Sequence, residues 1–234
     1  MEKNFNGFPR EFAEFLFSLR LNNTREAIEE NKSAYNRLIT EPLTQLYNAL
    51  MPTALSVSKT VETNYLKCVS AMCTDMRYSA KAPTPSPKLP IRESMYIHFY
   101  EGFAFGDKNR LGLYFDMGCE NYGCGIRVER WTGDGMERVR DYALANSPEF
   151  TRELENLSNL GMAVLGEKFT LERNRFSMIE NKVLKDFLHM KNFYIERSCP
   201  INESVFNGGL ADEIAEAFRG VKGIYLMLKR ALQR

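Results

Sequence analysis

The apolar positions change period twice along the chain, helical at both ends and alternating in between. Phe12, Phe15, Leu16 and Leu19 repeat at helical spacing behind Pro9, whose missing N–H is harmless in a first turn. Asn22-Asn23 ends that helix. Asn23 then reads as an N-cap, with Glu26 three residues on closing a capping box, and opens a helix from about Thr24 to Ile39. Pro42 predicts an interruption, and a further helical piece carrying Leu43, Leu46, Tyr47 and Leu50 ends before Pro52. From Val61 to Cys73 the apolar and β-branched residues fall near alternate positions and predict a strand. Ser94–Phe105, Arg110–Met117 and Gly123–Trp131 predict three more. Connections such as Gly106-Asp107-Lys108-Asn109 suit antiparallel hairpins, and the proline-rich SAKAPTPSPKLP cannot join a ladder and reads as an extended loop. Helical spacing returns over Gly135–Ala145, Pro148–Leu160, Asn181–Met190 and Ala211–Leu232, with a short strand at Phe193-Tyr194-Ile195.

Helices on either side of a block of strands predict an α+β fold, a mainly antiparallel central sheet flanked by N- and C-terminal helices. No Gly/Ser-rich linker and no internal repeat divides the sequence, so residues 1–234 are expected to form a single domain. Composition agrees: 44% hydrophobic and 12% aromatic residues supply enough apolar area for a packed core. Lys+Arg 31 against Asp+Glu 30 leaves the chain nearly neutral, which argues against a dedicated nucleic-acid binder. MEKNFNGFPREF lacks a basic stretch followed by an apolar one, and no window approaches the roughly 18 apolar residues of a membrane span. These features predict a soluble cytoplasmic protein with no membrane span and no cofactor, and they assign no oligomeric state.

Candidate chemistry is sparse. The two histidines have no second imidazole at metal-ligand spacing, although His98 shares a strand face with Tyr96 and Tyr100. No Walker A, strand-preceded GxGxxG, GxSxG or HExxH motif occurs. Five cysteines include two C-x4-C pairs, Cys68/Cys73 and Cys119/Cys124. Strand geometry points the first pair to opposite faces, and reduced thiols without a metal are expected. The final helix carries Arg219, Lys222, Lys229, Arg230 and Arg234 beside an apolar stripe of Phe218, Val221, Tyr225, Leu228 and Leu232. A core-facing helix with cations at its negative end accounts for that pattern without a membrane or partner.

Three phrases resemble a widespread bacterial family of conserved hypothetical proteins, a domain of unknown function. NNTREAIEENK, Asn22 to Lys32, is similar to its Asn-Asn-x-Arg-Glu-Trp-Phe phrase, with Ala27 and Ile28 in the two aromatic places. TDMRYSAKA, Thr74 to Ala82, is similar to its Arg-Asp-x-Arg-Phe-Ser phrase, with Thr74 in place of the first arginine. Cys124-Gly125-Ile126 and Val139-Arg140 stand where the family has a Gly-rich strand and then a helix with Ile-Arg. The resemblance implies an α+β fold and no known activity.

The matched polar residues define a candidate site: Lys32, Asp75, Arg77, Tyr78 and Ser79, joined by Arg127 and Arg140. Arg77 is suited to grip a carboxylate or phosphate bidentately, with Asp75 orienting it. The same residues also suit an ion-pair network tying the sheet to the N-terminal helices. The first functional reading is a binding module for a small anionic ligand centred on Arg77. The alternative is an enzyme in which Asp75 or Glu26 is the general base and Arg77 stabilises an anion. A lesser one is nucleic-acid binding through Arg127, Arg130, Trp131, Arg138 and Arg140, with a field weakened by Glu129 and Glu137.

Overall fold

The computed structural model describes residues 4–22, 24–72, 92, 94–102, 108–170 and 174–233. The N-terminal helices are α1 (Phe12–Leu21), α2 (Arg25–Tyr35) and α3 (Glu41–Val57). Thr24 caps α2, its Oγ1 accepting from Ala27 N at 3.2 Å; Asn23, the residue expected to cap, lies outside the described residues. Pro42 does not interrupt the helix. A wide turn over Asn36–Thr40 joins α2 to α3, the N–H of Glu41 bonding to Asn36 O, and Pro42 falls in the first turn of α3. Pro52 does not end α3 either. It sits inside the helix on the exposed side, where water reaches the carbonyl its ring deprives of a donor.

The expected strand over Val61–Cys73 is not one. Only Val61 and Val69 bridge, to Glu101 and Ile97, and one helical turn, α4 (Tyr65–Cys68), lies between them. Asn64 Oδ1 caps that turn on Leu66 N at 3.0 Å, a local bond that overrides the alternating pattern. Cys73 and the proline-rich loop lie outside the described residues, as do Gly106 and Asp107.

β1 (Met95–Tyr100), β2 (Arg110–Met117) and β3 (Asn121–Glu129) form the antiparallel meander that the sequence predicts. The sheet continues beyond it. After α5 (Gly133–Ala145) and α6 (Ser147–Asn159) come β4 (Ala163–Leu165), α7 (Lys182–Leu188) and β5 (Tyr194–Pro200). β5 pairs with β3 and carries β4 outside it, giving the antiparallel order β1-β2-β3-β5-β4. The predicted last helix is two, α8 (Gly209–Gly220) and α9 (Lys222–Leu232), meeting at Val221. Among the described residues this is an α+β fold, and no helix is long and apolar enough to cross a membrane.

One face of the sheet makes the core. Met95, Ile97 and Phe99 of β1, Leu113 and Phe115 of β2, Cys124 and Ile126 of β3 and Ile195 of β5 are at most 1% exposed. They meet Leu46 and Leu50 of α3, Ile214 and Phe218 of α8, and Ile224, Tyr225 and Leu228 of α9, so the apolar stripe of the last helices is spent on the core. Tyr47 stacks on Phe99 at 5.6 Å, and Phe218 meets the same ring edge-on at 6.4 Å. Burying a side chain of this size stabilises the fold by about 1.5–3 kcal/mol.

Candidate functional site

Strand residues alternate between faces, so the sheet has a second surface carrying every other residue. It is polar yet largely closed to water: Tyr114 is 0% exposed and His98 and Tyr100 are 5% each. A chain of contacts crosses it. Asp116 Oδ1 meets His98 Nε2 at 3.2 Å, His98 Nδ1 meets the Tyr100 hydroxyl at 3.0 Å, and Tyr100 donates to Glu129 Oε1 at 2.5 Å. Arg110 Nη1 lies 3.4 Å from Glu129 Oε2, with its guanidinium over the Tyr100 ring. At the other end Arg127 pairs with Asp116 Oδ2 at 3.0 Å and lies over Tyr114, whose hydroxyl donates to Glu196 at 2.5 Å. Burial first, and the carboxylates they donate to second, push both Tyr100 and Tyr114 well above the usual phenol range. They therefore stay protonated and act as fixed donors.

Glycine makes this packing possible. A Cβ on Gly112 would lie 2.5 Å from Tyr100 Cδ1, and one on Gly123 would lie 3.1 Å from the Glu196 carboxylate. The absent side chains let the Tyr100 ring and the Glu196 chain lie against the strands.

At the Arg110 end a cleft of about 600 Å³ opens between the end of β1, the start of β2 and the last turn of α9. Thr60, Glu101, Lys108, Asn109, Arg110, Leu111, Lys229, Leu232 and Gln233 line it. Glu101 is held on all sides: Tyr225 donates to Oε1 at 3.0 Å, and Thr60 and Lys229 reach Oε2 at 2.6 and 3.0 Å. Lys229 also donates to Ser58 Oγ at 2.7 Å and Thr60 Oγ1 at 2.5 Å. Burial pushes the Glu101 carboxyl up, and the bonds from Ser58, Thr60, Lys229 and Tyr225 outweigh it, leaving the group below the usual carboxylate range. Its charge is thus consumed inside the protein, while Lys108 and Arg110 add positive charge at the cleft wall.

Of the residues expected from the sequence, Asp75, Arg77, Tyr78 and Ser79 lie outside the described residues. Met72 and Arg92, which bracket that stretch, are joined by a backbone hydrogen bond of 3.0 Å beside β1. Lys32 is exposed on α2, as is Glu26 in its first turn. Arg127 stands on the polar face as described. Arg140 is 2% exposed on α5, its Nε donating to Leu188 O at 2.9 Å, Nη1 to Glu137 at 2.7 Å and Nη2 to Met190 O. Arg140 and Arg127 share no partner among the described residues, and neither they nor Lys32 line the cleft. The residues read for nucleic acid are dispersed too: Trp131 Nε1 donates to Phe193 O, and Arg138 Nη1 to Leu232 O. The sequence did not single out Glu101 or Asp116, and it placed Lys108 only in a hairpin connection and Glu129 only as a charge opposing a basic patch. Its nearest signal was the Tyr96-His98-Tyr100 alternation, three polar rings on what a two-layer fold would leave to solvent.

Among the described residues no three His, Cys, Asp or Glu side chains are grouped to hold a metal. The thiols of Cys68, Cys119, Cys124 and Cys199 are free. Cys124 is buried within β3, where burial pushes its thiol up to about 12, while Cys119 precedes the strand and is only partly buried.

The fold and site together define an α+β protein with a hydrogen-bonded polar sheet face that ends in a cationic cleft. The chain belongs to the conserved hypothetical protein family DUF2461, whose family model matches residues 11–226. Comparison with curated proteins and with solved structures gives no match.

Proposed function

We propose that the protein is a binding module for a small anionic ligand bearing phosphate or carboxylate, and that the ligand occupies the cleft between β2 and α9. This is the ligand class expected from the sequence; Arg77, on which the sequence centred it, lies outside the described residues. The observation that supports the reading is one of charge. Among the described residues, Lys108, Arg110 and Lys229 line one cleft with a single carboxylate, Glu101, that Tyr225, Thr60 and Lys229 already satisfy. Leu111 and Leu232 offer apolar wall to the remainder of the ligand, and the volume suits a small molecule. The carboxylate-base alternative gains nothing from Glu26, exposed at the start of α2.

The test is a melting curve with increasing phosphate, sulfate and small carboxylates. A ligand that binds the native state raises stability by about 2.7 kcal/mol at one hundred times its Kd. Wild type should show a saturable rise, and Lys108→Ala together with Arg110→Gln should abolish it. Equal shifts in both proteins, or none in wild type, refute the assignment.

A further inference from the structure

A second cavity, of about 550 Å³, opens where α6 faces the chain leading into α7, and we propose that it binds a free aliphatic α-amino acid as the zwitterion. It shares no lining residue with the anion cleft. One wall is a face of α6, on which Arg152 and Glu155 stand one turn apart. The other is the segment from Met178 to Asn181. Asn181 fixes that segment in place: its Oδ1 caps α7 on Leu184 N at 2.9 Å, and its amide donates to Glu155 Oε1 at 3.3 Å. Leu144, Ile179 and Leu184 supply apolar lining. Met178 lines the cavity too and is 88% exposed, a flexible thioether left to water where it can adapt to whatever covers it.

The charges select the ligand. Along α5 opposite charges at helical spacing pair with one another, Asp134 with Arg138 and Glu137 with Arg140. Arg152 and Glu155 have the same kind of spacing, yet among the described residues neither Arg152 nor Glu180 makes an ion pair. Both are exposed, where a pair contributes little, so leaving them open costs the fold almost nothing. One cation and two carboxylates therefore line a single cavity uncommitted to each other. A ligand with only a carboxylate meets Glu155 and Glu180, and one with only an ammonium meets Arg152. A ligand with both charges avoids either repulsion: its carboxylate takes the Arg152 fork, and its ammonium takes the glutamates. An α-amino acid carries the two charges on one carbon, which leaves its side chain for Leu144, Ile179 and Leu184. Binding is non-covalent, and no proton need move.

L-Leucine is the probe, titrated at neutral pH into wild-type protein with isotope-labelled methionine and isoleucine methyls. The Met178 and Ile179 signals should shift saturably. Isocaproate and isoamylamine keep the side chain with one charge each. Either should bind about tenfold more weakly or worse, the worth of a charge-assisted hydrogen bond. Arg152→Gln should hold leucine no more tightly than wild type holds isoamylamine. Glu180→Gln should weaken leucine and leave isocaproate no weaker. Melting temperatures should stay as in wild type, because both side chains are exposed; the comparison of the three ligands needs no variant at all. A half-ligand that binds as tightly as leucine overturns the zwitterion site. So does leucine affinity unchanged in both variants, or the absence of a saturable shift in wild type. The anion cleft contributes no residue here, so none of these results bears on it.

Discussion

Removing the Lys229 charge is the sharpest probe of the cleft floor. Lys229→Met keeps most of the aliphatic length and deletes the ammonium that touches Glu101, Ser58 and Thr60. The pair is well buried, with side chains 17% and 12% exposed. Stripping one partner from a buried ion pair costs about 3–5 kcal/mol, because the remaining charge is left uncompensated. Here the cost falls at the lower end: Glu101 retains the Tyr225 and Thr60 hydroxyls, and the cleft admits water to one side. About 3 kcal/mol is expected, which for a chain of this size lowers Tm by about 6–12 °C. Adding Glu101→Gln removes the stranded charge and should recover part of the loss. Thermal and urea unfolding of the wild type, both single variants and the double variant measure the coupling. The pH dependence has a definite sign. A carboxyl depressed in the folded state contributes stability above its unfolded range, and that contribution is lost as pH falls through the folded value. The gap between wild type and Glu101→Gln should therefore close on acidification. A loss under about 1 kcal/mol for Lys229→Met, no more than an exposed pair contributes, refutes the reasoning. So does a double variant no more stable than the single.

Gly112→Ala puts a Cβ 2.5 Å from the Tyr100 ring and must displace it. The cost should be about 1–3 kcal/mol, with loss of the Tyr100–Glu129 bond visible as a changed Tyr100 hydroxyl environment by NMR. Arg140→Met leaves the buried carbonyls of Leu188 and Met190 without their donor. Each such group costs about 1–3 kcal/mol, so Tm should fall clearly while the anion-induced shift stays as in wild type; a lost shift would return Arg140 to the binding site.

The fold was legible where a pattern is local and repeats. Period-2 runs in β1, β2 and β3 encode which side chains face the core, and hairpin connections leave one register for them, so the meander follows from sequence. The amphipathic stripes of α5, α6 and α8–α9 are legible for the same reason. The sequence misled where a short-range bond competes with a pattern. Asn64 capped a turn inside an apparently alternating run, and the wide turn before Pro42 let a helix pass a residue that ordinarily breaks one. β4 at three residues is too short to show a period, and its pairing with β5 is decided by register alone.

The site divides along the same line. Residue type and face were readable from the chain: His98 between Tyr96 and Tyr100, Arg127 on β3, and the cations of the last helix. What they do was decided by partners far away in sequence. Glu129 reaches Tyr100 across the sheet, Lys229 meets Glu101 from the far end of the chain, and Arg140 caps the carbonyls that end α7. A guanidinium or ammonium carries the same charge as strut or as ligand-binding group. Only the tertiary structure sets which carboxylate or carbonyl stands within reach, and so which cations are consumed in holding the protein together and which face the cleft.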